Sequence, residues 1–116
     1  MDVILVKNKI SKQQLAEIAE QQFGDMVKAV VDVEKGFMAI GGGLHADEEA
    51  FLLERDSRQE NLWGINLYPD REATAIVEFD SLINIRPRQN NRSRGVEDET
   101  VRQRILEIVR SLVQWL

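Results

Sequence analysis

An arginine-rich segment is the first part of the chain whose residue types point to chemistry. Residues 86–95 read RPRQNNRSRG and contain four arginines and no acid, although the whole chain carries a net charge of −5. Guanidinium groups present paired donors that match the oxygens of a phosphate or carboxylate. The segment also precedes a predicted helix, whose free backbone N–H groups bind anions. We therefore predict a site for a small anionic ligand, formed by Asn84, Arg86, Arg88, Asn91, Arg92 and Arg94.

The same segment has two other interpretations. The acids Glu97, Asp98 and Glu99 follow it directly, so the arginines could pair with them and only shape a polar loop. Nucleic acid is the other candidate partner, but duplex binding engages several phosphates across a wide face, and this chain has one short basic patch. No Phe, Tyr or Trp lies between Asp80 and Gln114 to stack on a base. The sequence therefore does not favour a nucleic-acid partner.

A second candidate site would transfer protons. His45 is the single histidine, and it lies between three glycines and the acidic residues 47–49. Histidine titrates near neutral pH, and a positioned carboxylate such as that of Asp80 can also accept a proton. The alternative function is therefore a small hydrolase or transferase, in which His45 or Asp80 is catalytic while arginines hold a charged substrate. The competing explanation is structural, since acids at a helix start are favoured by the helix dipole.

The sequence predicts neither a metal site nor a cofactor. Zinc sites usually combine several His or Cys ligands, and this chain has one His and no Cys. The acids 47–49 could supply oxygen ligands to Mg²⁺ or Ca²⁺. They are adjacent at a predicted helix start, however, so their side chains point in different directions and do not converge on one ion. The glycines 41–43 have no lysine beside them, and no Gly-Lys-Ser/Thr sequence follows Gly95, so neither stretch is a Walker loop.

The longest predicted strand covers residues 75–86. Alternation along it would place Glu78, Asp80, Asn84 and Arg86 on one face of a sheet. Asn66, on the preceding strand candidate, would lie beside them. This row of polar groups has the form of an open site, and it also has the form of any solvated sheet face.

The elements that must position these residues follow the order β-α-β-β-α-β-β-α. Residues 3–6 are a short apolar run typical of a strand buried on both faces, and Ser11 with Gln14 forms a capping box for the first helix. Residues 34–36 (EKG) predict a hairpin turn. This order predicts an α+β domain of two layers, with helices covering one face of a mixed β-sheet. A right-handed crossover would make the first two strands parallel.

The last predicted helix spans residues 96–116. Its acidic start and its apolar stripe at helical spacing are the clearest helix pattern in the chain. Trp115, near its end, is either a core residue or part of an apolar patch that joins two copies. The sequence therefore leaves a homodimeric interaction protein as a third hypothesis.

Length and composition limit the number of domains and the class of protein. The 116 residues fit one globular domain, 1–116, and 43% hydrophobic with 30% charged residues is ordinary for a soluble protein. No apolar run is long enough to cross a membrane, and the N-terminus does not match a signal peptide. We therefore expect a cytoplasmic protein without a membrane partner.

Three stretches resemble a known family of small uncharacterised proteins. They are residues 41–53 (GGGLHADEEAFLL), 62–69 (LWGINLYP) and 78–98 (EFDSLINIRPRQNNRSRGVED). Together they resemble a bacterial and archaeal family classed as a domain of unknown function, and the run INIRPRQNNRSRGVED is the most specific part. The resemblance covers nearly the whole chain and implies a single-domain protein. It implies no activity and transfers no catalytic residue.

Overall fold

The computed structural model describes residues 2–114, which contain three α-helices and seven β-strands. The helices are α1 (Lys12–Gln21), α2 (His45–Leu53) and α3 (Glu99–Leu112). The strands are β1 (Ile4–Val6), β2 (Ile10–Ser11), β3 (Val27–Asp32), β4 (Phe37–Ile40), β5 (Leu62–Leu67), β6 (Val77–Glu78) and β7 (Val113–Gln114). No helix within residues 2–114 has the length and apolarity that crossing a membrane requires.

The main sheet has five strands in the order β1-β4-β3-β5-β6, and every neighbouring pair is antiparallel. Strands β1 and β3 both run antiparallel to β4, so they are parallel to each other, as the crossover argument predicts. A separate parallel pair, β2 with β7, joins the two ends of the chain. The predicted α+β class is confirmed, and the main strands and helices follow the predicted order. Strand β1 is an edge strand with Ile4 39% exposed, not the doubly buried strand we expected.

The helices start where their capping residues predict. Ser11 accepts a hydrogen bond from the Gln14 N–H at 3.0 Å, and the Gln14 side chain accepts one from the Ser11 N–H at 3.0 Å. At α3 the cap is Asp98, which accepts from the Thr100 N–H at 2.8 Å. The helix predicted over residues 96–116 is therefore shorter. Its first residues form the cap, and the chain leaves it at Val113 to pair with β2.

Helices cover both faces of the main sheet, whereas we expected them on one. The larger core lies between the sheet and helices α1 and α3, and the smaller core lies under α2 on the opposite face. The larger core includes Leu15, Ile18, Val31, Met38, Ile65, Ile105, Ile108 and Leu112, and the smaller includes Val30, Ala39, Leu52 and Leu62. The central strands β3 and β5 are buried along nearly their whole length, so both of their faces need apolar cover.

Residues 75–86 do not form the predicted long strand. They contain the end of a 3-10 turn (Ala73–Ile76), the short β6 and a second turn (Leu82–Asn84). The Ser81 hydroxyl accepts from the Ile83 N–H at 3.3 Å, and this bond begins the second turn. Asn84 is fully buried while Ile85 is 42% exposed, which is the reverse of the burial that the alternation predicted. The predicted polar row over 78–86 is therefore not one sheet face.

Candidate functional site

Arg86 is directed inward and binds the protein's own backbone. Its guanidinium donates to the carbonyl oxygens of Gln59 and Leu62, and it lies 4.0 Å from the ring centre of Trp63. Burial lowers the pKa of Arg86, although a guanidinium still stays charged at neutral pH. Because these donors are used internally, Arg86 fixes the segment 59–63 rather than facing a ligand.

The two asparagines of the predicted site are also used internally. Asn84 accepts from the Gly64 N–H at 2.8 Å and donates to the carbonyl oxygens of Gly64 and Arg94, both at 2.9 Å. Asn91 donates to the backbone carbonyl oxygen of Asn84 at 2.7 Å and accepts from the Glu97 N–H at 2.8 Å. Both side chains are almost completely buried. Their side-chain amides satisfy backbone N–H and C=O groups that have few backbone partners in this loop.

The backbone of the arginine-rich loop already holds a carboxylate. Glu97 accepts from the N–H groups of Arg92 and Ser93 at 2.7 and 2.8 Å, and these bonds lower the pKa of Glu97. Beside the loop is a cavity of about 350 Å³, and two of its lining residues are the acids Glu97 and Asp98. The side chains of Arg88 and Arg92 are exposed. The backbone N–H groups of Arg92 and Ser93 are therefore not free for an added anion, and the loop offers it only the exposed guanidiniums of Arg88 and Arg92.

Arg94 points away from that cavity, to Asp80. Its Nε donates to the Asp80 carboxylate at 2.6 Å, and both side chains are about half exposed. The buried Asn66 lies beside this ion pair, since its amide donates to the Asp80 carbonyl oxygen at 3.4 Å and to Glu78 at 2.8 Å. The Asn66 oxygen is buried without a partner within residues 2–114. Asp80 and Asn66 are thus neighbours, as the sequence suggested, although no long strand brings them together.

His45 begins α2, and the charges of both Asp80 and Arg94 act on it. Its Nε2 is 2.8 Å from the Ile65 carbonyl oxygen, and a carbonyl only accepts, so Nε2 carries the proton and Nδ1 is the basic nitrogen. Burial is the main cause that lowers the pKa of His45, and the charges of Lys28 and Arg94 lower it further while Asp80 raises it. The imidazole is therefore neutral at neutral pH.

Glu48 lies one turn further along α2 and is fully buried. Its Oε2 accepts from the Gly42 N–H at 2.9 Å, and Oε1 has no partner within residues 2–114. Burial raises the pKa of Glu48 to about 9, so its carboxyl is protonated at neutral pH. A Cβ on Gly42 would come within 2.8 Å of the Glu48 Cγ. This glycine therefore makes room for a carboxylic acid instead of cradling a phosphate.

We call Lys28, His45, Asn66, Asp80 and Arg94 the polar cluster. Lys28 pairs with Asn66 across β3 and β5, and its charge acts on both His45 and Glu48. The structure thus brings the two predicted proton-transfer residues together with one predicted ligand-binding arginine. The other five predicted ligand-binding residues contribute to loop structure or to the surface.

Sequence reasoning missed Lys28 and Glu48. Glu48 stands in a run of acids at a helix start, which suggests a dipole effect, but its spacing of three from His45 places both on one side of the helix. That spacing is the signal that could have identified it. No group of three His, Cys, Asp or Glu residues suited to a metal ion occurs among the residues described by the structure. Trp115, the proposed dimer contact, lies outside the described residues.

One comparison with known proteins found a match. The family model described as "Protein of unknown function (DUF5674)" matches residues 4–112. The match confirms the resemblance to a family of unknown function, while a bacterial or archaeal origin stays a prediction. No curated protein and no solved structure matches the chain.

Proposed function

We propose that this chain, which belongs to the protein family of unknown function DUF5674, binds a small ligand bearing a phosphate or carboxylate group. In this proposal the polar cluster holds the anionic group. The observation that carries it is the ion pair between Arg94 and Asp80, whose two charges act on the neutral imidazole of the buried His45. The wider anion site over the whole loop 86–95, and a cytoplasmic location, stay predictions from the sequence.

Arg94 is well suited to receive the anion. Its hydrogen bond to Asp80 runs through Nε, which fixes the direction of the guanidinium and leaves its two terminal nitrogens for oxygens of a ligand. Lys28, which pairs with Asn66 across β3 and β5, supplies a second positive charge that acts on His45. The unpartnered oxygen of Asn66 requires a donor, and a hydroxyl on the ligand would provide one. We therefore favour a phosphate monoester or a hydroxy acid as the ligand.

The proposal is tested by measuring the affinity for inorganic phosphate, glycerol phosphate and glycolate by calorimetry. We expect Arg94→Gln and Lys28→Gln each to weaken binding about tenfold, because each removes one charge-assisted contact. Arg92→Gln is the matched control, since it removes an exposed arginine of the same loop and should leave the affinity unchanged.

Two outcomes separate the hypotheses. If Arg92→Gln and Arg88→Gln weaken binding as much as Arg94→Gln does, the anion binds across the loop and not at the polar cluster. If none of the anions binds or raises the melting temperature of the unmutated protein, the proposed function is wrong. Urea unfolding of Arg94→Gln must accompany the titration, because this variant also leaves Asp80 without its partner.

A second candidate function, hydrolysis or group transfer, is favoured by the tautomer of His45. Its Nε2–H is held by the Ile65 carbonyl, so Nδ1 is available as a base in a neutral ring. If p-nitrophenyl phosphate or p-nitrophenyl acetate is turned over, we expect His45→Gln to lower kcat about a hundredfold. Binding of these substrates without turnover by the unmutated protein would contradict the enzyme hypothesis and leave the binding function intact.

A further inference from the structure

A concave site lies on the face of the sheet that α1 and α3 cover, opposite to α2. A cleft of about 390 Å³ opens between the turn Ala73–Ile76, the second half of α3 and the start of α1. This volume falls within the roughly 300–1,000 Å³ of typical small-molecule sites. The residues of the polar cluster do not line it. The cleft is therefore separate from the polar cluster, and any ligand that it binds must be argued from its own lining.

The floor of the cleft is apolar. Ile76 and Val109 are 1% exposed and Val77 is 9% exposed, while Leu106 is half-buried at the edge of the larger core. These side chains belong to three different elements that are packed into that core, so the floor is held rigidly. An apolar chain or ring placed here would remove further apolar surface from water.

The rim of the cleft is basic, although the whole chain is acidic. Lys12 begins α1, Arg110 lies in the last turn of α3, and Arg71 precedes the turn, whereas Glu72 is the only acid among the described residues that line the cleft. Within residues 2–114 neither Lys12 nor Arg110 forms an ion pair, and Arg71 lies 3.6 Å from the ring centre of Tyr68. Positive side chains around an apolar floor complement a molecule that has an apolar body and an anionic end.

We propose that this cleft binds a small amphiphilic anion, with its apolar body against Ile76, Leu106 and Val109 and its acidic head group at Lys12 and Arg110. A medium-length fatty acid is the simplest member of this chemical class. The inference is independent of the proposed function, because it uses none of the residues of the polar cluster.

The test uses decanoate well below its micelle concentration, with decanol as the uncharged comparison. We expect decanoate to raise the melting temperature in a concentration-dependent manner and to shift the methyl NMR signals of Ile76, Leu106 and Val109. The double variant Lys12→Gln with Arg110→Gln should bind decanoate about tenfold more weakly while its affinity for decanol stays the same. Arg88→Gln with Arg92→Gln is the matched control and should bind as the unmutated protein does.

Each remaining outcome overturns the inference. Absence of stabilisation by decanoate, or shifts confined to other methyl groups, would show that the cleft is not the site. Equal binding by the double variant would show that the basic rim does not recognise the head group. Arg94→Gln should leave decanoate binding unchanged, so that a failure here and a failure of the proposed function can be told apart.

Discussion

Replacement of Glu48 by glutamine is expected to stabilise the protein by about 3 kcal/mol at pH 7. The folded state holds Glu48 protonated with a pKa raised by burial to about 9, whereas the carboxyl of the unfolded chain titrates near 4.5. Unfolding at neutral pH therefore releases a proton. From pH 4.5 to 9 this single group lowers the free energy of unfolding by about 1.4 kcal/mol per pH unit. Its stabilising contribution is complete below pH 4.5 and is lost as the pH rises to 9.

The slope of the free energy of unfolding against pH distinguishes this effect from a general change in packing. Glutamine keeps the shape of the carboxylic acid and can accept the hydrogen bond from the Gly42 N–H, but it does not titrate. Urea unfolding at pH 5, 7 and 8.5 should show a gap between Glu48→Gln and the unmutated protein that widens with pH. Glu54→Gln, whose side chain is 78% exposed, is the control that should follow the unmutated protein at every pH. Parallel curves for Glu48→Gln and the unmutated protein would contradict a protonated Glu48.

Local signals in the sequence predicted the local structure well. The capping box of Ser11 and Gln14 forms as predicted, because both partners lie within one turn. The hairpin between β3 and β4 also forms, with Gly36 at φ 75°, a conformation that favours glycine. Asp32 strengthens this turn by accepting from the N–H groups of Glu34 and Lys35, both at 2.9 Å. Such features depend on residues a few positions apart, so one sequence is enough to reveal them.

The candidate site was harder to predict, because its contacts join distant parts of the chain. The arginine-rich loop could be identified from composition, but not that Arg86 would contact Trp63 or that Glu97 would occupy the loop's N–H groups. Likewise, His45 and Asp80 are 35 positions apart in the chain, and the charge of Asp80 acts on His45 only because α2 and the segment after β6 pack on the same side of β5. Residue type suggested their chemistry, and only the tertiary fold could show their proximity.

The segment after β6 was mispredicted for a reason that can itself be tested at Gly64. The alternating residues 75–86 imitate a strand, but the chain instead crosses over β5 where Gly64 leaves space. A Cβ there would lie 2.6 Å from both the Cβ and the Oγ of Ser81 and 3.2 Å from Ile83. We expect Gly64→Ala to cost about 3 kcal/mol, or roughly 12 °C in melting temperature, because this buried strand cannot move away.

Two variants show whether the close approach is the cause. Gly43→Ala adds the same methyl group where no atom of residues 2–114, apart from its chain neighbours, lies within 4 Å, and it should change the free energy of unfolding by less than about 0.5 kcal/mol. Ser81→Gly removes the two closest atoms that the new methyl group would meet, so the double variant with Gly64→Ala should be more stable than the sum of the two single changes predicts. Additive changes would mean that the chain does not cross over β5 at Gly64. In that case the hydrogen bonds from Asn84 to Gly64, and with them the position of Arg94 in the polar cluster, would need another explanation.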